Sequence, residues 1–293
     1  MSGTVAVLAL ARSLRGLHLG PQTVLQTFVA AVVLSLIWGT ARVLARQGVP
    51  WARRVVRVLG PYAAALRVRL SSAPMTVLYV ASWSVTSVIQ QGTPESIQNL
   101  VDRYNSTNLT LLAHNPVRVL FSSAFLVADR ALGYTAYVVA YVAIVAALEH
   151  ALGWRRLLVV WLVAHVLGSL ATALTETLLI DSGTLAKSYT FASDVGVSYV
   201  LVGSCAAFVV CWRNRSRWVV LVGLSLALLI PLALTRTIWD LGHCYAAILG
   251  AAAGWLVTRG RPLARAATWR ELVSVQGAIL SSDQVPRGRQ PAG

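Results

Sequence analysis

Seven long apolar segments constrain the fold of this chain more than any other feature of its sequence. A helix needs about 20 mainly apolar residues to cross the hydrocarbon core of a bilayer, and each segment comes close to that length. Only 12% of the 293 residues are charged, whereas soluble globular domains carry about 25%, so a water-soluble monomer is excluded. We therefore predict an all-α, polytopic transmembrane helix bundle. The predicted spans are 22–41, 72–90, 131–148, 157–180, 194–212, 218–234 and 238–258.

Arginine in the connections between these spans predicts the orientation. The formal net charge is +15, and the basic residues cluster in alternate connections. Because arginine collects in cytoplasmic loops of membrane proteins, we interpret this charge as a topological signal and expect no nucleic-acid partner. The N-terminus is then outside the cell membrane and the C-terminus is cytoplasmic, and the arginine-rich composition is typical of a bacterial protein. The basic connections are 42–71, 155–156, 213–217 and 259–270.

The same pattern divides the chain into three parts. Residues 1–71 comprise an N-terminal transmembrane helix (22–41) and a basic cytoplasmic loop. Residues 72–258 form a six-helix membrane domain, and residues 259–293 form a loose polar cytoplasmic tail. In the outer connection after the second span, the apolar stretch 116–128 is too short to cross, so we predict a re-entrant or interfacial piece there.

Ionisable residues inside predicted spans are functional candidates, because they are costly to place in a bilayer. Asp194 stands at the start of the fifth span, and Asp240 and His243 stand at the start of the seventh. Both helices run inward, so all three residues lie near the outer surface. Asp240 and His243 are three residues apart and share a helix face, as do Asp194 and Ser198, which are four apart.

Small residues surround these polar groups and let two membrane helices approach closely. The sequence therefore predicts a tight contact between the fifth and seventh helices. One interpretation is a structural polar cluster at this contact, and the other is a catalytic site. The predicted structural cluster consists of Asp194, Gly196, Tyr199, Gly203 and Gly250.

No metal site or cofactor is expected. At 1.5 Å of rise per residue, His165 and His243 differ in depth by about 10 Å, which is too far to share one metal ion. The three cysteines form no CxxC pair. Membrane lipids are the expected surroundings, and the sequence specifies no oligomeric state.

At these residues the chain resembles the rhomboid superfamily of intramembrane serine proteases over residues 72–258. The outer connection with its half-inserted stretch resembles the first loop of that family. Residues 148–153 (LEHALG) resemble its turn after the second core helix, and residues 196–203 (GVSYVLVG) resemble its serine-bearing helix. Gly242-His243 followed by Gly250 resembles its histidine-bearing helix. The resemblance implies a six-helix rhomboid-like core, with the segment 22–41 as one extra N-terminal helix.

The serine motif of the family, Gly-x-Ser-Gly, can be matched in two registers. Aligning Gly196, Tyr199 and Gly203 with the conserved glycine and aromatic positions puts Val195 where the nucleophile belongs, and we favour this register. The alternative matches Gly196-Val197-Ser198 to Gly-x-Ser and keeps the nucleophile at Ser198.

The helix that carries the oxyanion donors in family proteases also departs from the pattern. Gly133 and Tyr137 stand where the family has histidine and asparagine. Losing one such donor costs about 10²–10³ in rate. The resemblance and its departures therefore predict a rhomboid-like pseudoprotease that binds transmembrane segments of client proteins.

Two other functions are open at this stage. In an active intramembrane serine protease, Ser198 would be the nucleophile, His243 the general base and Asp240 its orienting carboxylate. A transporter is disfavoured, because the two halves of the chain show no internal repeat.

Overall fold

The computed structural model describes residues 23–127, 132–259 and 269–282, and among these it contains helices and connections but no strand. The first two helices and the start of the core are α1 (Thr23–Arg46), α2 (Pro50–Ser71) and α3 (Pro74–Gly92). The outer connection folds into the short helices α4 (Glu95–Asn105), α5 (Leu109–His114) and α6 (Pro116–Ser123). Predicted stretch 116–128 therefore begins as a helix of eight residues.

Two of the core helices contain a π-helical turn. Helix α7 runs through Leu132–Ala140, the π turn Tyr141–Val145 and Ala146–Leu152. Helix α8 runs through Trp154–Leu162, the π turn Val163–Leu167 and Gly168–Asp181. Single π turns inside helices are frequent at functional sites.

A short 3₁₀ turn, Lys187–Phe191, leads to the last helices. These are α9 (Val197–Cys211), α10 (Ser216–Leu234), α11 (Ile238–Thr258) and α12 (Trp269–Ser282). Helix α9 contacts α7, α8, α10 and α11, so it is the centre of the bundle. Its side chains are nearly all buried, whereas α10 exposes apolar residues along its length, as a lipid-facing helix does.

Close packing of α9 against α11 depends on glycine. A Cβ atom added at Gly250 would lie 2.6 Å from the carbonyl carbon of Gly203, and one added at Gly254 would lie 2.8 Å from Cβ of Ala207. Only a hydrogen atom fits at Gly250, so the two backbones touch there. The sequence-based expectation of a tight contact between these two helices agrees with this geometry.

An aromatic cluster fills the space between α3, α7 and α8. Tyr79 packs at ring-centroid distances of 5.6 Å from Tyr141 and 4.7 Å from Trp161, and Trp83 lies 5.2 Å from Tyr134. Tyr141 also donates a hydrogen bond of 3.0 Å to the carbonyl oxygen of Val197. The cluster thereby holds the first turn of α9 in place.

Buried Glu149 joins α7 to the start of α3. Its carboxylate accepts hydrogen bonds from the backbone N–H groups of Met75 and Thr76 at 3.0 and 2.7 Å, and from the Thr76 hydroxyl at 2.6 Å. These N–H groups belong to the first turn of α3, where no helical carbonyl can accept from them. The glutamate therefore caps a helix, which explains why an acid is tolerated at 2% exposure.

The number of full-length spans is smaller than the seven predicted. Among the described residues, five helical segments are long and apolar enough to cross a membrane, or six when the bent pair α2 and α3 is counted as one span. Predicted span 194–212 is the clearest difference, because α9 has only 15 residues and reaches about 22 Å, whereas the hydrocarbon core is about 30 Å thick. The backbone N–H of Gly196 donates a hydrogen bond to the carbonyl oxygen of Ser123 in the outer connection, so α9 begins only at Val197.

The regions before α3 and after α11 contain more helix than the sequence predicts. The predicted basic loop 42–71 contains α2, and the predicted loose tail 259–293 contains α12, which packs against α2. Pro50 at the first position of α2 is a start signal, because its fixed φ suits a first helical turn. The sequence prediction of a loop at 42–71 rests on its arginines and takes no account of the apolar residues between them.

Candidate functional site

Ser198 and His243 meet at the end of the bundle where α9 begins. Nε2 of His243 lies 2.9 Å from Oγ of Ser198, which is a hydrogen bond between a serine hydroxyl and an imidazole. Both side chains are half-buried, so the pair is neither sealed in the core nor open on the surface. Ser198 is the second residue of α9, and His243 is one and a half turns into α11.

Val195 precedes α9 and lies in the connection that leads into it. The side chain that reaches His243 therefore belongs to Ser198. The sequence placed the nucleophile position at Val195 in its favoured register, and the hydrogen bond fits the other register. Sequence alone could not decide this, because the point at which α9 starts depends on contacts with the outer connection.

Tyr199 packs against His243 and forms a hydrogen bond with the loop before α9. The two ring centroids are 5.3 Å apart. The Tyr199 hydroxyl donates a hydrogen bond of 3.0 Å to Oδ2 of Asp194 and lies 3.2 Å from the Thr172 hydroxyl on α8. A Cβ at Gly242 would lie 2.7 Å from the Thr172 hydroxyl and 2.8 Å from Cζ of Tyr199, so glycine is needed for this ring to reach its place.

Asp194 holds the loop before α9 to the outer connection. Its Oδ2 is 3.3 Å from the hydroxyl of Thr107, and its backbone carbonyl accepts from the Thr107 N–H at 3.0 Å. Asp194 and Tyr199, which the sequence assigns to one polar cluster, are joined by a hydrogen bond, and their structural role stays a prediction. Thr107 was not singled out in the sequence, since a threonine in a polar loop carries no signal of a partner 87 residues away.

Asp240 caps the start of α11. Its Oδ2 accepts from the Thr237 N–H at 2.7 Å and from the Thr235 hydroxyl at 2.8 Å, and the Asp240 N–H donates in return to the hydroxyl oxygen of Thr237. This reciprocal arrangement is a capping box, which satisfies donors at a helix start. The spacing Thr-x-x-Asp in the sequence is itself a signal for this cap, and the orienting role of Asp240 for His243 stays a prediction.

His165 supports the turn before α9 from the π turn of α8. Its Nε2 lies 2.7 Å from the carbonyl oxygen of Leu120 and 3.4 Å from the Ser123 hydroxyl. A Cβ at Gly196 would lie 3.0 Å from Nε2 and closer still to the rest of the imidazole ring. Gly196 is therefore required for His165, and with it the outer connection, to pack against the loop that leads to Ser198.

The remaining predicted positions lie in later turns of α9 and α11 or on α7. Gly203 and Gly250 form the backbone contact between α9 and α11, with Gly250 two turns beyond His243. Tyr137 is on α7, partly buried against the main core. Gly133 is also on α7. Among the described residues, no group of three or more His, Cys, Asp or Glu side chains is arranged to hold a metal ion.

Comparison with known proteins identifies the architecture. A family model described as rhomboid-like protein matches residues 68–264, which is more than half of the chain. The chain belongs to the rhomboid-like family. Neither the curated proteins nor the solved structures contain a match. The matched region of this rhomboid-like protein begins in α2 and ends after α11, so it contains Ser198, His243 and all the helices that position them.

Proposed function

We propose that this rhomboid-like membrane protein is an intramembrane serine protease in which Ser198 is the nucleophile and His243 is the general base. The hydrogen bond of 2.9 Å between Ser198 Oγ and His243 Nε2 carries the proposal. A serine hydroxyl is a weak nucleophile until an adjacent base takes its proton, and a base within about 2.6–3.2 Å meets the geometric condition.

The reaction follows from this pair. His243 Nε2 takes the proton of Ser198 as Oγ bonds to the carbonyl carbon of the scissile peptide. His243 then gives that proton to the departing amine nitrogen as the C–N bond breaks. Water, deprotonated by the same imidazole, cleaves the resulting ester and restores Ser198.

Backbone N–H groups at the start of α9 supply the oxyanion donors in this proposal. Val197, Ser198 and Tyr199 are the first three residues of the helix, so no helical carbonyl accepts from their N–H groups. The positive end of the helix also favours negative charge at this position. The oxyanion then does not require the side-chain donors that family proteases have at the positions of Gly133 and Tyr137.

The shortness of α9 supports a substrate inside the membrane. Helix α9 spans only about 22 Å of a core about 30 Å thick, so if its last turn reaches the opposite surface, its first turn lies inside the core. Asp194 and Thr107 line the connection above that turn with polar groups. Transmembrane segments of other proteins are the peptides present at that depth, and the family resemblance implies the same substrate class.

A pseudoprotease that binds client transmembrane segments is the second candidate. The residues at positions 133 and 137 favour it, because neither glycine nor tyrosine reproduces the histidine and asparagine of family proteases. Asp240 also has its hydrogen bonds at the helix cap. In this function the Ser198–His243 contact would stabilise the α9–α11 pair without hydrolysis.

Cleavage of membrane reporters separates these two functions. Purified protein is reconstituted in liposomes with single-span reporter proteins whose transmembrane sequence is varied, and products are detected by mass spectrometry. We expect cleavage by the wild type and by Ser182→Ala, a control serine that is exposed and bonded only within its own turn, but not by Ser198→Ala or His243→Ala. Reporters that co-purify equally with wild type and Ser198→Ala, and that neither protein cleaves, would support the pseudoprotease and contradict our proposal.

A further inference from the structure

A second candidate site lies between helices α1 and α2, in the N-terminal part of the described chain. A cavity of about 730 Å³ opens there, bounded by one face of each helix and by Gln276 of α12. Small-molecule sites in proteins have volumes of about 300–1,000 Å³, so the cavity is large enough for a ligand. None of its lining residues belongs to the Ser198–His243 site, and the proposal below is independent of the proposed function.

The cavity concentrates positive charge. Arg42 and Arg46 are four residues apart on α1, and Arg53 and Arg57 are four apart on α2, spacings at which like charges repel. Among the residues that the structure describes, no carboxylate lines the cavity, and the first acidic residue of the chain is Glu95. The arginines that line it are Arg42, Arg46, Arg53, Arg57 and Arg67. An anion bound among them would relieve this repulsion.

Apolar surface adjoins the charges. Between Arg57 and Arg67, the α2 face is made of Gly60, Ala63 and Ala64, which leave the space that the cavity occupies. On the α1 side, Trp38 lines the cavity one turn before the first arginine. Tryptophan at the junction of apolar and charged residues is typical of the membrane–water interface.

The bend between α2 and α3 gives the cavity its position relative to the bilayer. The two helices meet at 91°, so if α3 crosses the membrane, α2 lies close to the membrane plane. Helix α2 exposes the apolar residues Val58, Leu59 and Leu66 between its arginines, as an interfacial amphipathic helix does. The cavity is therefore at the depth of lipid headgroups.

We propose that this cavity binds the phosphate headgroup of an anionic phospholipid. Guanidinium groups match phosphate oxygens with two parallel hydrogen bonds, and five of them surround the space. The acyl chains would lie along the exposed apolar surface of α1, which includes Leu34 and Ile37. In the orientation expected from the loop charges, the bound lipid belongs to the cytoplasmic leaflet.

Native mass spectrometry of the full chain in detergent tests this site. The added ligands are dioctanoyl phosphatidylglycerol, dioctanoyl phosphatidylcholine and inorganic phosphate. We expect phosphatidylglycerol to bind at least about tenfold more tightly than phosphatidylcholine, and Arg42→Gln/Arg57→Gln to weaken it by about tenfold per arginine. Arg54→Gln is the matched control, because Arg54 is exposed on the same helix but does not line the cavity.

Binding of an anionic lipid at this cavity can be distinguished from general surface charge and from binding of free phosphate. Arg46→Gln/Arg67→Gln serves as a second lining variant, and the unfolding temperature of each variant without added lipid shows whether it is folded. Equal affinity for both lipids would overturn the proposal, as would an Arg54→Gln loss equal to that of a lining pair, which would indicate only general surface charge. Displacement of phosphatidylglycerol by inorganic phosphate at equal concentration would show that the site takes free phosphate and would also overturn it.

Discussion

Adding one methyl group at Gly250 should separate the two helices that carry Ser198 and His243. In Gly250→Ala, the new Cβ would lie 2.6 Å from the carbonyl carbon of Gly203, whereas carbon atoms in contact are about 3.5–4.0 Å apart. The opposing atoms are backbone, so no side-chain rotation can relieve the overlap. Helix α11 must move by about 1 Å relative to α9.

The magnitude follows from two opposing effects. Overpacking of a close contact costs about 1–3 kcal/mol, and a backbone clash belongs at the upper end of that range. Replacing glycine by alanine inside a helix returns about 1 kcal/mol. We therefore expect Gly250→Ala to lower the free energy of unfolding by about 2 kcal/mol.

Gly223→Ala is the matched control. Gly223 is in α10, and an added Cβ there meets no atom within 4 Å. Only the helix-propensity gain remains, so this variant should be more stable than the wild type by up to about 1 kcal/mol. The assay is reversible unfolding in mixed micelles, followed by circular dichroism.

The same displacement should affect the site. Moving His243 by about 1 Å lengthens its 2.9 Å contact with Ser198, and misplacement on that scale costs about 10²-fold in rate. If Gly250→Ala unfolds at the same denaturant concentration as Gly223→Ala, the close α9–α11 contact, and the reasoning that places Ser198 beside His243, would be refuted.

Three further variants test individual contacts. Glu149→Ala leaves the N–H groups of Met75 and Thr76 buried without an acceptor, and unfolding measurements should show a loss of about 3 kcal/mol or more; an unchanged value would mean that Glu149 does not cap α3. Asp240→Asn should lower stability by about 1 kcal/mol through the weakened cap but keep most of the reactivity of Ser198, whereas a loss near 10⁴-fold would instead assign Asp240 to a catalytic triad. Gly242→Ala should cost about 1 kcal/mol less in a Tyr199→Phe background than in the wild type, because the deleted hydroxyl makes room for the methyl group; strict additivity in this double-mutant cycle would contradict the packing of Tyr199 beside Gly242.

Hydrophobic patterning was sufficient to predict the helical class, whereas the resemblance to the family rested on the motifs at 148–153, 196–203 and 242–250. Runs such as 218–234 and 238–258 are long and mainly apolar, so the cost of an unpaired backbone in lipid leaves helix as the only solution. The Gly203–Gly250 contact could also be predicted, since small residues in two spans favour close approach. The family model then confirmed the rhomboid-like resemblance.

The start of α9 could not be predicted, and the arrangement of the site depends on it. Its first residue is set by hydrogen bonds from Gly196 to Ser123 and from Thr107 to Asp194, between residues far apart in the sequence. Local periodicity carries no information about such pairs. For the same reason, the capping role of Glu149 could not be predicted, because its partners are 73 and 74 residues away.

Helix α2 was missed for a different reason. Its arginines occur at helical spacing with apolar residues between them, a pattern that fits both a basic loop and an interfacial helix. Composition favoured the loop, whereas packing against α1 and α12 favours the helix. The charge pattern alone could not show that three of these arginines and two arginines of α1 border one cavity.

Fluorophosphonate labelling of the detergent-purified protein tests the central claim most directly, because it needs no substrate. The probe reacts with serines activated by a neighbouring base, and the labelled peptide is mapped by mass spectrometry. We predict labelling at Ser198 in the wild type and in Ser182→Ala, and none in Ser198→Ala or His243→Ala. Absence of labelling at Ser198 in the folded wild type, beside an active rhomboid protease that is labelled in the same experiment, would contradict the assignment of Ser198 and His243 as a catalytic pair.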